Sequence, residues 1–187
     1  MDIETCIRSR RSHHAFDGTP VPRQTLLELA ELLRWAPNHR LTQPWRCIAL
    51  DADGVQALGQ HLITTSEDAS LDPEMARRCR LCGERKLAAV GGMLVVSCVH
   101  DADPDRHRED QQAVAAGVQN ILLAATAHGL ASFWSTGRPF QLASTQTWLG
   151  MDPTRELLIA AIWLGGVATL PEAPPRQDVG SYLRWLE

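Results

Sequence analysis

Three segments of the chain combine cations or hydroxyls with apolar or aromatic groups at places where a secondary-structure element ends. Arg10-Arg11-Ser12-His13-His14 follows a short amphipathic stretch. Trp35-Ala36-Pro37-Asn38-His39-Arg40-Leu41-Thr42-Gln43-Pro44-Trp45-Arg46 joins a helical pattern to a strand pattern. Ala131-Ser132-Phe133-Trp134-Ser135-Thr136-Gly137 follows a long helical pattern. At such termini, backbone amides and side chains can reach a ligand. Singly, each has a plainer reading. Paired arginines at a helix end complement its dipole, Gln-Pro-Trp is turn chemistry before a packed indole, and Ser-Thr-Gly closes a strand. Motifs for protein-borne chemistry are missing: there is no G-x-G-x-x-G after a strand, no Walker loop, no G-x-S-x-G and no H-E-x-x-H. The 7 histidines are scattered and no carboxylate pair stands out. A cofactor is therefore the expected source of chemistry.

The elements that carry these segments read as follows. A first helix covers Asp2–Ser9, with Ile3, Cys6 and Ile7 on one face, and a turn follows at Asp17-Gly18-Thr19-Pro20. A second helix opens at Pro22 in its first turn and carries Leu26, Leu29, Ala30 and Leu33 at helical spacing. It stops near Ala36, because Pro37 disfavours a helical residue before it. A loop over 37–44 leads into a strand at Trp45–Leu50. Helices are expected from Gly54 to about Thr64 and, capped by Asp72 with Pro73 at the first position, from there to about Leu87. Gly92–Val99 reads as a central strand, apolar on both faces, and Asp101–Arg108 as a charged loop. A long helix from Glu109 to His128 ends at Gly129, suited to a left-handed cap. Its wide apolar stripe (Val114, Val118, Ile121, Leu122, Ala125) calls for burial on more than one side, for which a dimer interface is a natural place. Ala131–Trp134 and Leu157–Leu164 read as strands and Gln141–Leu149 as a helix. Helices outnumber strands without a βαβ rhythm, which gives an α+β layer fold.

At 187 residues, 44% hydrophobic and 21% charged, the chain has the composition of one globular domain. Its formal net charge of -4 disfavours nucleic acid as a partner. The apolar stretches Leu87–Val99 and Leu157–Ala168 fall short of the roughly 20 residues a bilayer span needs, and the opening residues lack a signal-peptide core, so no membrane partner and a cytoplasmic location are expected. The 5 cysteines then read as free, buried thiols, with the Cys79-Arg-Leu-Cys82 spacing a coincidence. Asp101-x-Asp103-x-Asp105 imitates a calcium loop, but Arg106 stands where that loop needs glycine and Gln112 where it needs glutamate.

Together and in order, the three segments resemble the nitroreductase family, and are similar to its short, YdjA-type NAD(P)H nitroreductases. The family's opening R-R-S stands as Arg10-Arg11-Ser12. Its W-A-P-x-x-x-x-Q-P-W block is matched from Trp35 to Trp45, its N-x-L-L-A-A…G-L-x-S-x-W-x-T-G block from Asn120 to Gly137, and its apolar strand ends in Leu164-Gly165-Gly166. The resemblance implies a central, mostly antiparallel sheet flanked by helices, in an intertwined homodimer built from a single domain over 1–187. The apolar tail, 171–187, would dock on the partner subunit. It also implies flavin mononucleotide (FMN) at the dimer interface. Arg10 and Ser12 would hold its phosphate and ribityl chain, Arg10 as a charge-assisted donor, with Arg11 adding backbone contacts or charge and Arg176 a further phosphate ligand. Trp35 and His39 would reach the flavin of the other subunit, while Trp134, Ser135 and Thr136 would run along the isoalloxazine ring. Two positions depart from the pattern: His14 stands where many relatives carry Lys or Arg near the pyrimidine edge, and Leu41 where many carry Asn. The implied reaction is ping-pong hydride transfer from NADH or NADPH through flavin N5 to a small-molecule acceptor, nitroaromatic, quinone or related. A dehydrogenase or ene-reductase on the same scaffold, a non-catalytic flavin-binding dimer and a cofactor-free domain are the alternatives.

Overall fold

The structure is a computed structural model and describes residues 1–186. Four strands, β1 (Trp45–Leu50), β2 (Gly92–Val99), β3 (Ala131–Ser135) and β4 (Glu156–Gly165), form one sheet in the order β1-β2-β4-β3, antiparallel throughout. The two central strands, β2 and β4, are buried along almost their whole length, as their unbroken apolar sequence requires. The β2–β4 register shifts at Val96/Ser97.

Side chains alternate across the sheet and divide the core in two. Met93, Val95, Ala131, Ala161 and Trp163 face one layer, which packs on α3 (Ala52–Thr65), α4 (Pro73–Leu81) and the turn after it. Leu94, Val96, Cys98, Ala160, Ile162 and Leu164 face the other, built from α2 (Arg23–Glu31) and α5 (Pro104–Ala127). α1 (Ile3–Ser9) lies against α5, and α6 (Ala143–Trp148) against the short turn that follows β3. The α+β layer fold expected from the sequence is the fold observed. No helix among the described residues is long and apolar enough to cross a membrane.

Most boundaries fall where their chemistry dictates. Asp2, Asp51 and Asp72 each accept a backbone N–H in the first turn of the helix they precede. Several expectations need correction. The charged stretch before Glu109 is not all loop: α5 begins at Pro104, because Asp103 accepts from the amides of Asp105 and Arg106 and Pro104 fills the first position. That is the same Asp-Pro start as at Asp72-Pro73, hidden in 101–108 by the density of charge. Pro22 caps α2 and is not its first helical residue, and the helix tightens into a 3₁₀ turn over Leu32–Trp35. α4 stops at Leu81 and continues as a π-helical turn, Cys82–Lys86. α6 is shorter than expected, preceded by a 3₁₀ turn at Arg138–Gln141. Cys47 is exposed on the edge strand β1, whereas the other four thiols are buried. Burial pushes the Cys82 thiol up to about 12 and raises Cys79 as well, the opposite of the thiolate character a metal or redox pair needs.

Two glycines set close approaches on which the site depends. A Cβ on Gly83 would collide with the Gly59 carbonyl oxygen, so the π-helical turn can lie flat on α3 only without a side chain there. A Cβ on Gly117 would sit 3.0 Å from Leu33 Cδ2 and 3.1 Å from its carbonyl oxygen. Its absence lets α5 pack against the turn that carries Trp35.

Candidate functional site

α1 ends at Ser9, and Arg11 Nη1 donates to the carbonyls of Arg8 (2.6 Å) and Arg10 (2.9 Å). These are backbone acceptors that a helix C-terminus leaves open. Beyond that cap, Arg8, Arg10, Arg11 and Arg176 line one cavity of about 690 Å³ together with Glu4, Ile7, Pro174 and Tyr182. Burial first, then the charge of Arg176, then that of Arg11, lowers the Arg10 guanidinium from its ordinary value. Among the described residues the ion pairs at 4.0 Å or less draw on other cations. Four guanidiniums thus crowd one hollow without an ion-pair partner, an arrangement that an anion would stabilise.

The chain leaves this cavity along β3. The His13 amide donates to the Ser132 carbonyl at 2.9 Å. His13 is buried, and neither its Nδ1 nor the Ser132 hydroxyl has a hydrogen-bond partner, although unpaired buried polar atoms are costly. Ser12 and His14 on either side are exposed. The His14 ring rests 4.6 Å from Phe133, and Phe133 meets Trp163 edge-on at 5.2 Å. A second cavity, of about 150 Å³, opens at the far end of this aromatic row. It is lined by Ser135, Gly137, Arg138, Trp163, Cys82 and Lys86, among others, and the buried Trp163 Nε1–H is also unpartnered. Lys86 was not anticipated. Its only sequence signal is a charged Glu84-Arg85-Lys86 run just before the strand at 92–99, and a π-helical turn of the sort often found at functional sites delivers it. Trp134 faces the opposite side of the sheet, where its Nε1–H donates to the Ile159 carbonyl at 3.0 Å. Only its backbone is available on the cavity side.

Trp35 and His39 lie in neither cavity of their own chain. Trp35 is 67% exposed, with its Nε1–H on Glu31 at 3.0 Å and the Arg34 guanidinium 5.6 Å from the ring centre. His39 Nδ1 lies 2.7 Å from Glu109 Oε2.

The Nitroreductase family model matches residues 7–166 of this sequence, from within α1 to the end of β4. The chain belongs to the nitroreductase family. A curated relative from Bacillus subtilis (strain 168), named "Putative NAD(P)H nitroreductase YfhC", is 30% identical over 179 residues, covering 95% of this chain and 90% of its own. Among solved structures, a nitroreductase-like family protein from Bacillus cereus superposes with a TM-score of 0.87 at 24% identity, over 100% of this chain and 97% of that one. The FMN and NADPH-dependent nitroreductase NfnB from Sphigopyxis sp. strain HMH superposes at 0.75 with 19% identity, over 100% of both chains.

Within this nitroreductase-family chain, the fold gathers Arg10, Arg11 and Arg176 into one hollow and sets Ser135 beside another, with the strand carrying Phe133 between them. Thr136 is exposed just past the end of β3. Trp35 and His39 stand apart, on the surface.

Proposed function

We propose that this chain is an FMN-dependent NAD(P)H oxidoreductase of the nitroreductase and quinone-reductase type, acting as a homodimer with a cofactor site shared between subunits. The observation that carries this reading is the cluster of Arg8, Arg10, Arg11 and Arg176 around one cavity, none of them ion-paired among the described residues. The residues fit the cofactor. A phosphate dianion would offset the repulsion between the guanidiniums, and a planar, oxygen-rich ring beside the aromatic row would give the orphaned Trp163 donor an acceptor.

On this reading Arg10 and Arg176 hold the phosphate by charge-assisted hydrogen bonds, with Ser12 beside the ribityl chain and Arg11 adding positive potential while it caps α1. The backbone from Trp134 to Thr136 follows the isoalloxazine edge. His14 lies over Phe133 on the approach to the ring, and Lys86 supplies a fixed cation to the ring-side cavity. A cation there would favour the reduced, anionic ring. Trp35 and His39 complete the site of the other subunit, which accounts for their exposure in one chain. Bound FMN supplies hydride acceptance at N5 from NADH or NADPH and electron delivery to a nitroaromatic, quinone or related acceptor. The protein's own part is to anchor the phosphate, flatten the slot and set its electrostatics.

One experiment tests cofactor and class together. The purified protein is expected to be yellow, to release FMN on denaturation, and to bleach anaerobically when titrated with NADH or NADPH. Colourless protein that fails to take up added FMN would exclude the reading, and yellow protein that neither nucleotide bleaches would make it a non-catalytic flavin binder.

A further inference from the structure

Residues 38–43 include every described non-glycine residue with positive φ: Arg40 (56°), Leu41 (52°) and Gln43 (48°). Left-handed backbone is costly for an L-residue, and it persists where the surroundings over-determine it, commonly at functional sites. Here two consecutive carboxylates of α5 do the holding. Glu109 Oε2 meets His39 Nδ1 at 2.7 Å, and Asp110 Oδ1 accepts from the Thr42 hydroxyl at 2.6 Å. Asp110 is only 4% exposed, so that second latch is anchored at its carboxylate end, while Thr42 stays exposed. Inside the loop, Asn38 Oδ1 accepts from the Gln43 amide at 3.1 Å.

A carboxylate only accepts, so the hydrogen in the first pair belongs to His39 Nδ1. With that nitrogen committed, Nε2 is the ring atom left to meet anything else, and the His39 side chain is 60% exposed. We propose that Glu109 is a positioning residue. It fixes His39 as the Nδ1–H form, so that Nε2 faces the cofactor held by the partner copy, while Asp110 and Thr42 hold the strained loop at the height this requires. The inference rests on the shared FMN site proposed above and adds the residue that orients its second half.

Isosteric substitution separates the two ring nitrogens, since Gln puts an amide where Nε2 was and Asn puts one where Nδ1 was. With FMN affinity read by flavin fluorescence quenching, His39→Gln, whose amide oxygen can accept where Nε2 did, is expected to stay within about threefold of wild type, and His39→Asn to lose about tenfold, near the upper end of the net worth of one neutral hydrogen bond. Glu109→Ala should lose a similar factor, Glu109→Gln should recover most of it through its amide oxygen, and Glu109→Ala should cost nothing further once His39→Gln is present. A second readout needs no cofactor: ¹⁵N spectra of the apo-protein should show His39 as the Nδ1–H tautomer, becoming a mixture in Glu109→Ala. Equal losses for the Gln and Asn variants, or an unchanged tautomer in Glu109→Ala, would overturn this proposal alone. Wild-type protein that binds no FMN would overturn the function with it.

Discussion

Arg176, far down the C-terminal tail, lines the same cavity as Arg10 at the end of α1, and its charge lowers the Arg10 guanidinium. Two like charges brought together from opposite ends of the sequence oppose folding unless something negative joins them. The sign of the Arg176→Gln effect should therefore depend on the ligand. Without FMN the variant is expected to melt at the wild-type temperature or slightly above it. With saturating FMN it should melt below wild type, with FMN affinity weakened about tenfold for one lost charge-assisted bond. Arg10→Gln should weaken binding further, because Arg10 is the less exposed of the two. Thermal melts with and without FMN check both, and equal destabilisation in the two conditions would remove Arg176 from the phosphate site.

His13 makes stability depend on acidity. Burial is the largest influence on its imidazole and lowers it, the Thr169 carbonyl partly opposes that, and Arg10 and His14 add to the lowering. A histidine that is harder to protonate when folded contributes stability that is fully present above its unfolded value, about 6.5. That contribution fades as pH falls toward the lower, folded value, because the unfolded chain then binds the extra proton. The apo-protein should lose melting temperature between about pH 7 and pH 5, and His13→Asn should flatten that slope. A slope unchanged in the variant would assign it to other groups.

What the sequence shows and what it hides follow from range. β1, β2 and the cap at Asp72 are legible because apolar runs and an Asp-Pro start are local signals. The Arg10–Arg176 meeting is not local, and only the resemblance to relatives brought Arg176 forward. Lys86 went unseen because a charged Glu84-Arg85-Lys86 run reads first as a solvated surface. It matters through Gly83, whose missing side chain lets the turn lie on α3, and through β4, which brings Trp163 beside it. His39 was expected at the site from its motif, whereas its partner Glu109, expected on the long helix, stands 70 residues away, so the pair was invisible.

The loop that carries His39 holds Leu41 at φ 52°, a conformation that Asn adopts more readily than a γ-branched residue does. Leu41 is also exposed, so it has little packing to lose. Leu41→Asn is expected to stabilise the protein by about 0.5–1 kcal/mol, a part of the roughly 1–2 kcal/mol that left-handed backbone costs an L-residue, and to raise the thermal midpoint by a few degrees. A lower midpoint would show that Leu41 has packing elsewhere, against a second copy for instance.

On the proposed reading, Lys86 sets a fixed positive charge in the cavity beside the ring. Lys86→Gln should lower the flavin midpoint potential at every pH, because it removes a cation that favours the reduced anion. Spectroelectrochemical titration reads the shift, and a potential unchanged in Lys86→Gln would place the ammonium outside the field of the flavin.

The tail supplies the test of the dimer. Tyr182 and Trp185 are 71% and 85% exposed in the single chain, with Leu183 and Leu186 also open to water. Burying one large apolar side chain contributes about 1.5–3 kcal/mol, so these four side chains on a partner would form a substantial part of an interface. Trp185→Ser combined with Leu186→Ser is expected to shift the assembly from dimer toward monomer on dilution, and to release FMN in parallel if each site draws on both chains. Light scattering coupled to size exclusion, with flavin absorbance followed across the peak, reads both at once. Retention of the dimer with full flavin content would mean that the tail folds back on its own domain. A monomer that keeps its flavin would mean that one chain holds the cofactor unaided.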